Sequence, residues 1–143
     1  MLNMTDTFTK SERSEIMSRI SSKHTSPEIV VRKALYRLGF RYRLHDKKLP
    51  GKPDIVIKQA KTAIFVNGCF WHQHKGCKRR SVPKSNLKYW KGKLKANVER
   101  QRADIKELKR LGWKIFIVWE CEAKREVVLV KEVNKIYEKI KSI

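Results

Sequence analysis

Four side chains of this sequence have the types and spacing of a closed tetrahedral metal site. Cys69, His74 and Cys77 fall within one run, Gly68-Cys69-Phe70-Trp71-His72-Gln73-His74-Lys75-Gly76-Cys77, and Cys121 lies far downstream in Trp119-Glu120-Cys121. Three thiolates and one imidazole satisfy Zn2+ and leave no coordination position for a substrate, so such a site is structural. It consumes every cysteine of the chain. Spacing alone leaves the histidine open. The step of five residues from Cys69 and of three to Cys77 favours His74; the other reading makes His72 the ligand and leaves His74 solvated. With His74 as ligand, His72 is left to work as a general base. Phe70 and Trp71 stand on the loop that the metal would pin, where two bulky rings can push between stacked bases.

A second constellation is acidic. Asp54 follows Pro53 at the start of an apolar run. A carboxylate at a strand end beside a turn can hold a hard divalent cation such as Mg2+. Capping the turn is the plainer role for an Asp in that position. Glu28 falls in the first turn of a helix whose face would pack on the same sheet, although the positive end of that helix also accounts for a carboxylate there. Trp90, Lys91 and the basic stretch Lys75-Gly76-Cys77-Lys78-Arg79-Arg80 extend the surface that carries the ring pair. Trp90 also falls on the apolar face of its own helix, where an aromatic is by default a core residue.

These residues need elements to position them. Ser26 as N-cap and Pro27 at the first helical position start a helix. Val31, Leu35 and Leu38 give it an apolar face, and Gly39 closes it. Three short strands are predicted over Phe40–Leu44, Asp54–Lys58 and Thr62–Val66, with Pro50-Gly51-Lys52-Pro53 as the turn before the second. A long helix runs from Asn86 to Leu111, with Leu87, Trp90, Leu94, Val98, Ile105, Leu108 and Leu111 on one face, and Gly112 ends it. Gln101, one turn from both Asn97 and Ile105, shares the inward face. Lys114–Trp119 reads as a buried strand that delivers Cys121. A last helix covers Arg125–Ser142. Thr9 and Glu12 can form a capping box for a further helix over Ser11–Ser21, in an arm over residues 1–21. The order α-α-β-β-β-α-β-α predicts an α/β sandwich with a small mixed sheet, one domain over residues 1–143.

Charge points to the partner. Lys and Arg outnumber Asp and Glu by 35 to 14, for a net charge of +21. With 41% hydrophobic residues the chain can still build a core, so it is not a disordered basic tail. A folded domain this basic meets a polyanion, most often nucleic acid; a ribosome-associated or merely basic protein is the plain alternative. No stretch approaches the roughly 20 apolar residues of a membrane span, and the N-terminus lacks the apolar core of a signal peptide. A cytoplasmic protein is expected, and there an odd cysteine count argues for metal or free thiols rather than disulfides. Membrane-surface binding would need a long amphipathic basic helix with exposed apolar anchors, which is missing.

At this point the sequence resembles the very-short-patch repair endonucleases. The matching segments are Leu49-Pro50-Gly51-Lys52-Pro53-Asp54, Ile64 to His72, Asn97-Val98-Glu99-Arg100 and Gly112 to Cys121, and Arg13–Met17 with Thr25–Glu28 also fits. The resemblance implies a restriction-endonuclease-like core, α-β-β-β-α-β. It implies an Mg2+-dependent enzyme that binds a T·G mismatch left by deamination of 5-methylcytosine and nicks the strand 5′ to the wrong thymine. The implied partners are mismatched double-stranded DNA, met as a monomer, and, functionally, a cytosine-5 DNA methyltransferase. By resemblance Asp54 binds the metal directly, with the Val66 backbone carbonyl, and Glu28 stands in the outer layer. His72 activates the attacking water, and Asn67 is an amide that could hold a water beside the metal. Phe70, Trp71 and Trp90 match rings that enter the stack, and Cys69, His74, Cys77 and Cys121 match the zinc ligands. Val66 and Asn67 depart from a common Thr and His, and Gln101 stands where an Asp often supports the catalytic His. The alternatives are another nuclease of the same fold, which cuts both strands, and a zinc-containing DNA-binding protein without catalysis.

Overall fold

In the computed structural model, which describes residues 26–141, the elements follow the order α1 (Ser26–Arg37), β1 (Arg43–Leu44), β2 (Ile55–Ile57), β3 (Thr62–Asn67), α2 (Leu87–Arg110), β4 (Lys114–Trp119), α3 (Glu120–Ala123) and α4 (Glu126–Lys141). The helix expected over Ser11–Ser21 and the arm over residues 1–21 lie outside the described residues. The sheet runs β1-β2-β3-β4. β1 and β3 are both antiparallel to β2, and β4 is parallel to β3 with Val66 opposite Val118 and Asn67 opposite Trp119. This is the mixed sheet that the sequence predicts.

Side chains alternate across a strand, and both faces here are covered. Ile55, Ile57 and Ile64 join Val31 and Leu35 of α1 and Leu129, Val133 and Ile136 of α4 in one buried cluster. Val56, Ala63 and Phe65, of opposite parity, are buried as well. Asn67 shares the parity of Ala63 and Phe65 and bonds Gln101 of α2, so α2 lies over that face. Truncating Leu35 to Ala would cost about 2–5 kcal/mol, as for other buried leucines.

Three expectations change. The first strand is two residues long rather than five, because the chain before it is tied to α1: the Phe40 N–H donates to the Leu35 carbonyl and the Tyr42 hydroxyl to the Arg32 carbonyl. β4 stands at the sheet edge, and within it only Val118 is fully buried. Of the proposed apolar face of α2, only Leu94 and Leu108 are buried; Leu87 and Leu111, at the helix ends, are exposed. β4 keeps its predicted bounds and delivers Cys121 just past its end, in the short α3, where the Glu122 carboxylate accepts the Trp119 N–H at 2.8 Å and turns the chain. Gly112 does end α2. Its φ of +90° is open to a residue without a Cβ, and it lets the Trp113 N–H reach the Leu108 carbonyl at 3.0 Å.

Candidate active site and metal centres

A cleft of about 620 Å³ opens beside the end of β3. Glu28, Asp54, Val66, Asn67 and His72 all line it, with Phe70, Trp71 and Gln101. They come from α1, the residue before β2, the end of β3, the loop after it and α2. Glu28 projects from the first turn of α1 and is buried at 2% exposure. Asp54 precedes β2 and crosses to the main chain of β3, where the Val66 N–H donates to its Oδ2 at 2.7 Å. The turn before Asp54 is fixed by Gly51, whose φ is +75°; a Cβ there would come within 2.9 Å of Asp104 on α2. The structure thus brings together the two carboxylates and the Val66 main chain, and it sets His72 on the same cleft wall.

Burial pushes the Asp54 carboxyl up to about 6, and the Glu28 carboxylate adds to this; the Val66 N–H and the His45 side chain pull the other way. An ionised Asp54 therefore wants a cation beside it. His45 itself escaped the sequence reading. Its Nε2 lies 2.8 Å from Glu28 Oε1, and the donor atoms of Glu28, His45 and Asp54 lie within 4.8 Å of one another. A polar residue just past a short strand carries no sequence signal for this; it becomes visible only when β1 pairs with β2.

Burial, and then the Arg100 guanidinium, hold the His72 imidazole below its usual range. Its Nδ1 is buried and has no hydrogen-bond partner among the described residues. The expected support from Gln101 is not what the structure shows. Gln101 is paired with Asn67 instead: Asn67 Nδ2 donates to Gln101 Oε1 at 2.7 Å, and Gln101 Nε2 donates back to Asn67 Oδ1 at 2.9 Å. Each primary amide gives the other one N–H and accepts one in return, a reciprocal pair that an amide and an imidazole cannot form. Asn67 is 2% exposed and lines the cleft; one N–H and the carbonyl of its amide are engaged by Gln101.

The second cluster lies next along the chain. The donor atoms of Cys69, His74, Cys77 and Cys121 fall within 4.8 Å of one another. Cys69 Sγ and Cys121 Sγ lie 3.7 and 3.5 Å from His74 Nδ1. A tetrahedral ion held at about 2.3 Å by sulfur and about 2.0–2.1 Å by nitrogen has an S···N edge of about 3.6 Å, so the donors fit. Burial and the other thiols push Cys69 up to about 12, a position from which a bound cation would recover the thiolate. His74, rather than His72, is the histidine in this cluster, and its ring stacks on Trp119 at 4.1 Å.

Three rings meet at the mouth of the cleft. Phe70 lies 5.1 Å from Trp71 and 5.6 Å from Trp90, and Trp71 lies 5.9 Å from Trp90. Trp71 is 41% exposed, and Tyr89, 59% exposed, joins Trp90 at 5.3 Å. Trp90 is therefore not a core residue of α2, but the third member of an aromatic cluster; Tyr89 was not anticipated.

The comparisons with known proteins agree. The model of the DNA mismatch endonuclease Vsr family matches residues 5–79. The type II nicking enzyme V.NmeAIP of Neisseria meningitidis is 46% identical over 138 residues, 96% of this chain and 98% of its own. The type II nicking enzyme V.XorIIP of Xanthomonas oryzae is 44% identical over 119 residues, 83% of this chain and 87% of its own. The DNA mismatch endonuclease Vsr of Escherichia coli is 39% identical over 129 residues, 90% of this chain and 82% of its own. With the family model matching more than half of the chain and relatives 39–46% identical over 82% or more of their own length, the chain belongs to the Vsr family of DNA mismatch endonucleases.

Proposed function

We propose that the protein nicks one strand of duplex DNA 5′ to the thymine of a T·G mismatch, the lesion left when 5-methylcytosine deaminates, and so serves the same DNA as a cytosine-5 methyltransferase. The observation that carries this reading is one cleft with two carboxylates and a histidine on its wall and an aromatic cluster at its mouth. The element order α1-β1-β2-β3-α2-β4 supports a restriction-endonuclease-like core. No helix among the described residues is long and apolar enough to cross a membrane, and the chain is read as a monomer that works in the cytoplasm.

Asp54 and the Val66 carbonyl would hold Mg2+, with Glu28 behind them; when bound, the ion supplies Lewis-acid polarisation of the scissile phosphate and charge for the leaving 3′ oxygen. His72, unprotonated at neutral pH, takes a proton from the attacking water. The water oxygen bonds to phosphorus, the P–O3′ bond breaks, the departing O3′ takes a proton from solvent water, and the products are a 5′-phosphate and a 3′-hydroxyl. Cys69, His74, Cys77 and Cys121 are read as structural Zn2+ ligands; the fit of their donor atoms supports this. Phe70, Trp71 and Trp90 supply recognition. Opening a base step costs a few kcal/mol in a matched duplex and less at a mismatch, so rings that enter the stack favour the mismatch before any base edge is read.

The test is a panel of end-labelled duplexes, one for each mismatch, incubated with Mg2+ and resolved on a denaturing gel. A single nick in the thymine strand of the T·G duplex is expected. Cleavage of both strands, or of matched DNA equally well, would contradict the reading.

A further inference from the structure

Among the described residues, the buried Glu28 carboxylate is held from two sides. Arg32, one turn along α1, donates from Nη1 to Glu28 Oε2 at 3.2 Å. His45 reaches Glu28 Oε1 at 2.8 Å from the opposite element, the sheet. His45 is itself tied to the other carboxylate's backbone, because its N–H donates to the Asp54 carbonyl at 3.1 Å and so carries the β1–β2 pairing one step beyond Leu44 and Ile55. Its φ of +49° is a conformation that few residues with a Cβ adopt. The imidazole therefore stands at the junction of Glu28 and Asp54, set by the same hairpin that delivers Asp54.

A carboxylate whose two oxygens are both engaged is poorly placed to swing onto an ion. It is well placed to orient what the ion carries, provided it stays at a fixed distance from Asp54. We infer that His45 is a positioning residue of the metal centre: its Nε2–H fixes the Glu28 carboxylate relative to Asp54 and so sets the affinity of the centre for its divalent cation. This rests on the metal centre proposed above. Groups that orient a metal site in this way are typically worth about 10–100-fold in metal affinity or activity. The proposal needs only the hydrogen bond.

The test is direct Mn2+ binding to the zinc-loaded full chain, followed by electron paramagnetic resonance and calorimetry without substrate turnover. Four proteins are compared: wild type, Asp54→Asn, His45→Asn and His45→Gln. Asn suits a positive φ but is too short to span to Glu28, whereas the Gln amide can place a donor near the Nε2 position. Asp54→Asn should abolish binding at this site. His45→Asn should weaken it about 10–100-fold, with some loss of thermal stability because the buried Glu28 carboxylate loses a partner, while metal-free mismatch binding stays at the wild-type level, and His45→Gln should restore most of the affinity. Wild-type affinity in His45→Asn would overturn the proposal, as would a His45→Gln variant no better than His45→Asn. A nitrogen coupling on bound Mn2+ that vanishes in His45→Gln would also overturn it, by making His45 a ligand. If instead Asp54→Asn binds Mn2+ as the wild type does, the metal centre itself is misplaced and the role of His45 falls with it.

Discussion

Asp54 holds its proton more tightly in the folded protein than in the unfolded chain, because burial lifts its carboxyl from 3.8 to about 6. The sign follows from linkage. A raised folded-state value contributes stability that is full below about pH 3.8 and is lost as pH rises to about 6. At pH 7 the ionised, buried carboxylate therefore costs the cation-free protein on the order of 2–3 kcal/mol. Asp54→Asn, which keeps an acceptor for the Val66 N–H, should raise the melting temperature at pH 7 in buffer without added divalent cation. The gain should shrink to nothing as the pH is lowered below 4, and a variant less stable than wild type at pH 7 would contradict this. His72→Ala should slow nicking by roughly 100-fold or more, the usual worth of a positioned base, as measured in single-turnover assays with the duplex in hand. At this scale the sequence was legible wherever a residue type carries chemistry. The cysteines, the aromatic pair, Asp54 and His72 stood out, and the fold brings them to two adjoining sites. His45 and the Asn67–Gln101 pair did not, because a hydrogen-bond partner is a fact of three-dimensional packing and leaves no spacing rule behind.

At the level of elements, β3 and α2 are joined at the cleft by the Asn67–Gln101 amide pair. Removing Gln101 strands the buried Asn67 amide and should cost about 1–3 kcal/mol, whereas removing both leaves no buried amide unsatisfied. A double-mutant cycle with Asn67→Ala and Gln101→Ala, read by denaturant unfolding, should therefore give a double variant clearly less destabilised than the sum of the singles; simple additivity would mean that the pair is not a unit. The loop of the Cys69–His74–Cys77–Cys121 cluster is the other joint, because Cys121 of α3 closes a cluster that begins just past the end of β3. Cys121→Ser should lower thermal stability and reduce bound zinc below about one ion per chain, since a structural site contributes folding free energy directly. Unchanged melting with zinc fully removed would count against it. The strands and helices themselves were mostly readable from periodicity and from Gly and Pro punctuation. What was not readable was competition for the same backbone: Phe40 and Tyr42 look like strand residues, yet bonds to α1 claim them. The half-buried β4 followed from its place at the sheet edge, which an apolar run such as Ile115 to Val118 does not reveal.

For the whole molecule, the proposed function asks a net charge of +21 and an aromatic cluster to divide the work of binding. Cationic contacts to phosphates release counterions, so affinity for any duplex should fall by roughly 10³–10⁵ between 50 and 200 mM salt if six to ten phosphates are touched. The ratio of mismatch to matched affinity should change far less, because ring stacking is not an ionic term; a ratio that collapses in step with affinity would show that charge, not the aromatic cluster, discriminates. The central claim is that recognition and cleavage occupy neighbouring but separable parts of one surface. The most direct measurement follows nicking and binding of one T·G duplex in parallel, with Mg2+ present, for wild type, Asp54→Asn and Trp71→Ala. Asp54→Asn should bind the mismatch as the wild type does and leave the strand intact. Trp71→Ala should lose roughly 1–3 kcal/mol of mismatch binding, the range for a lost base–aromatic stack. Wild-type nicking by Asp54→Asn, or a Trp71→Ala variant that weakens matched and mismatched duplexes equally, would contradict it.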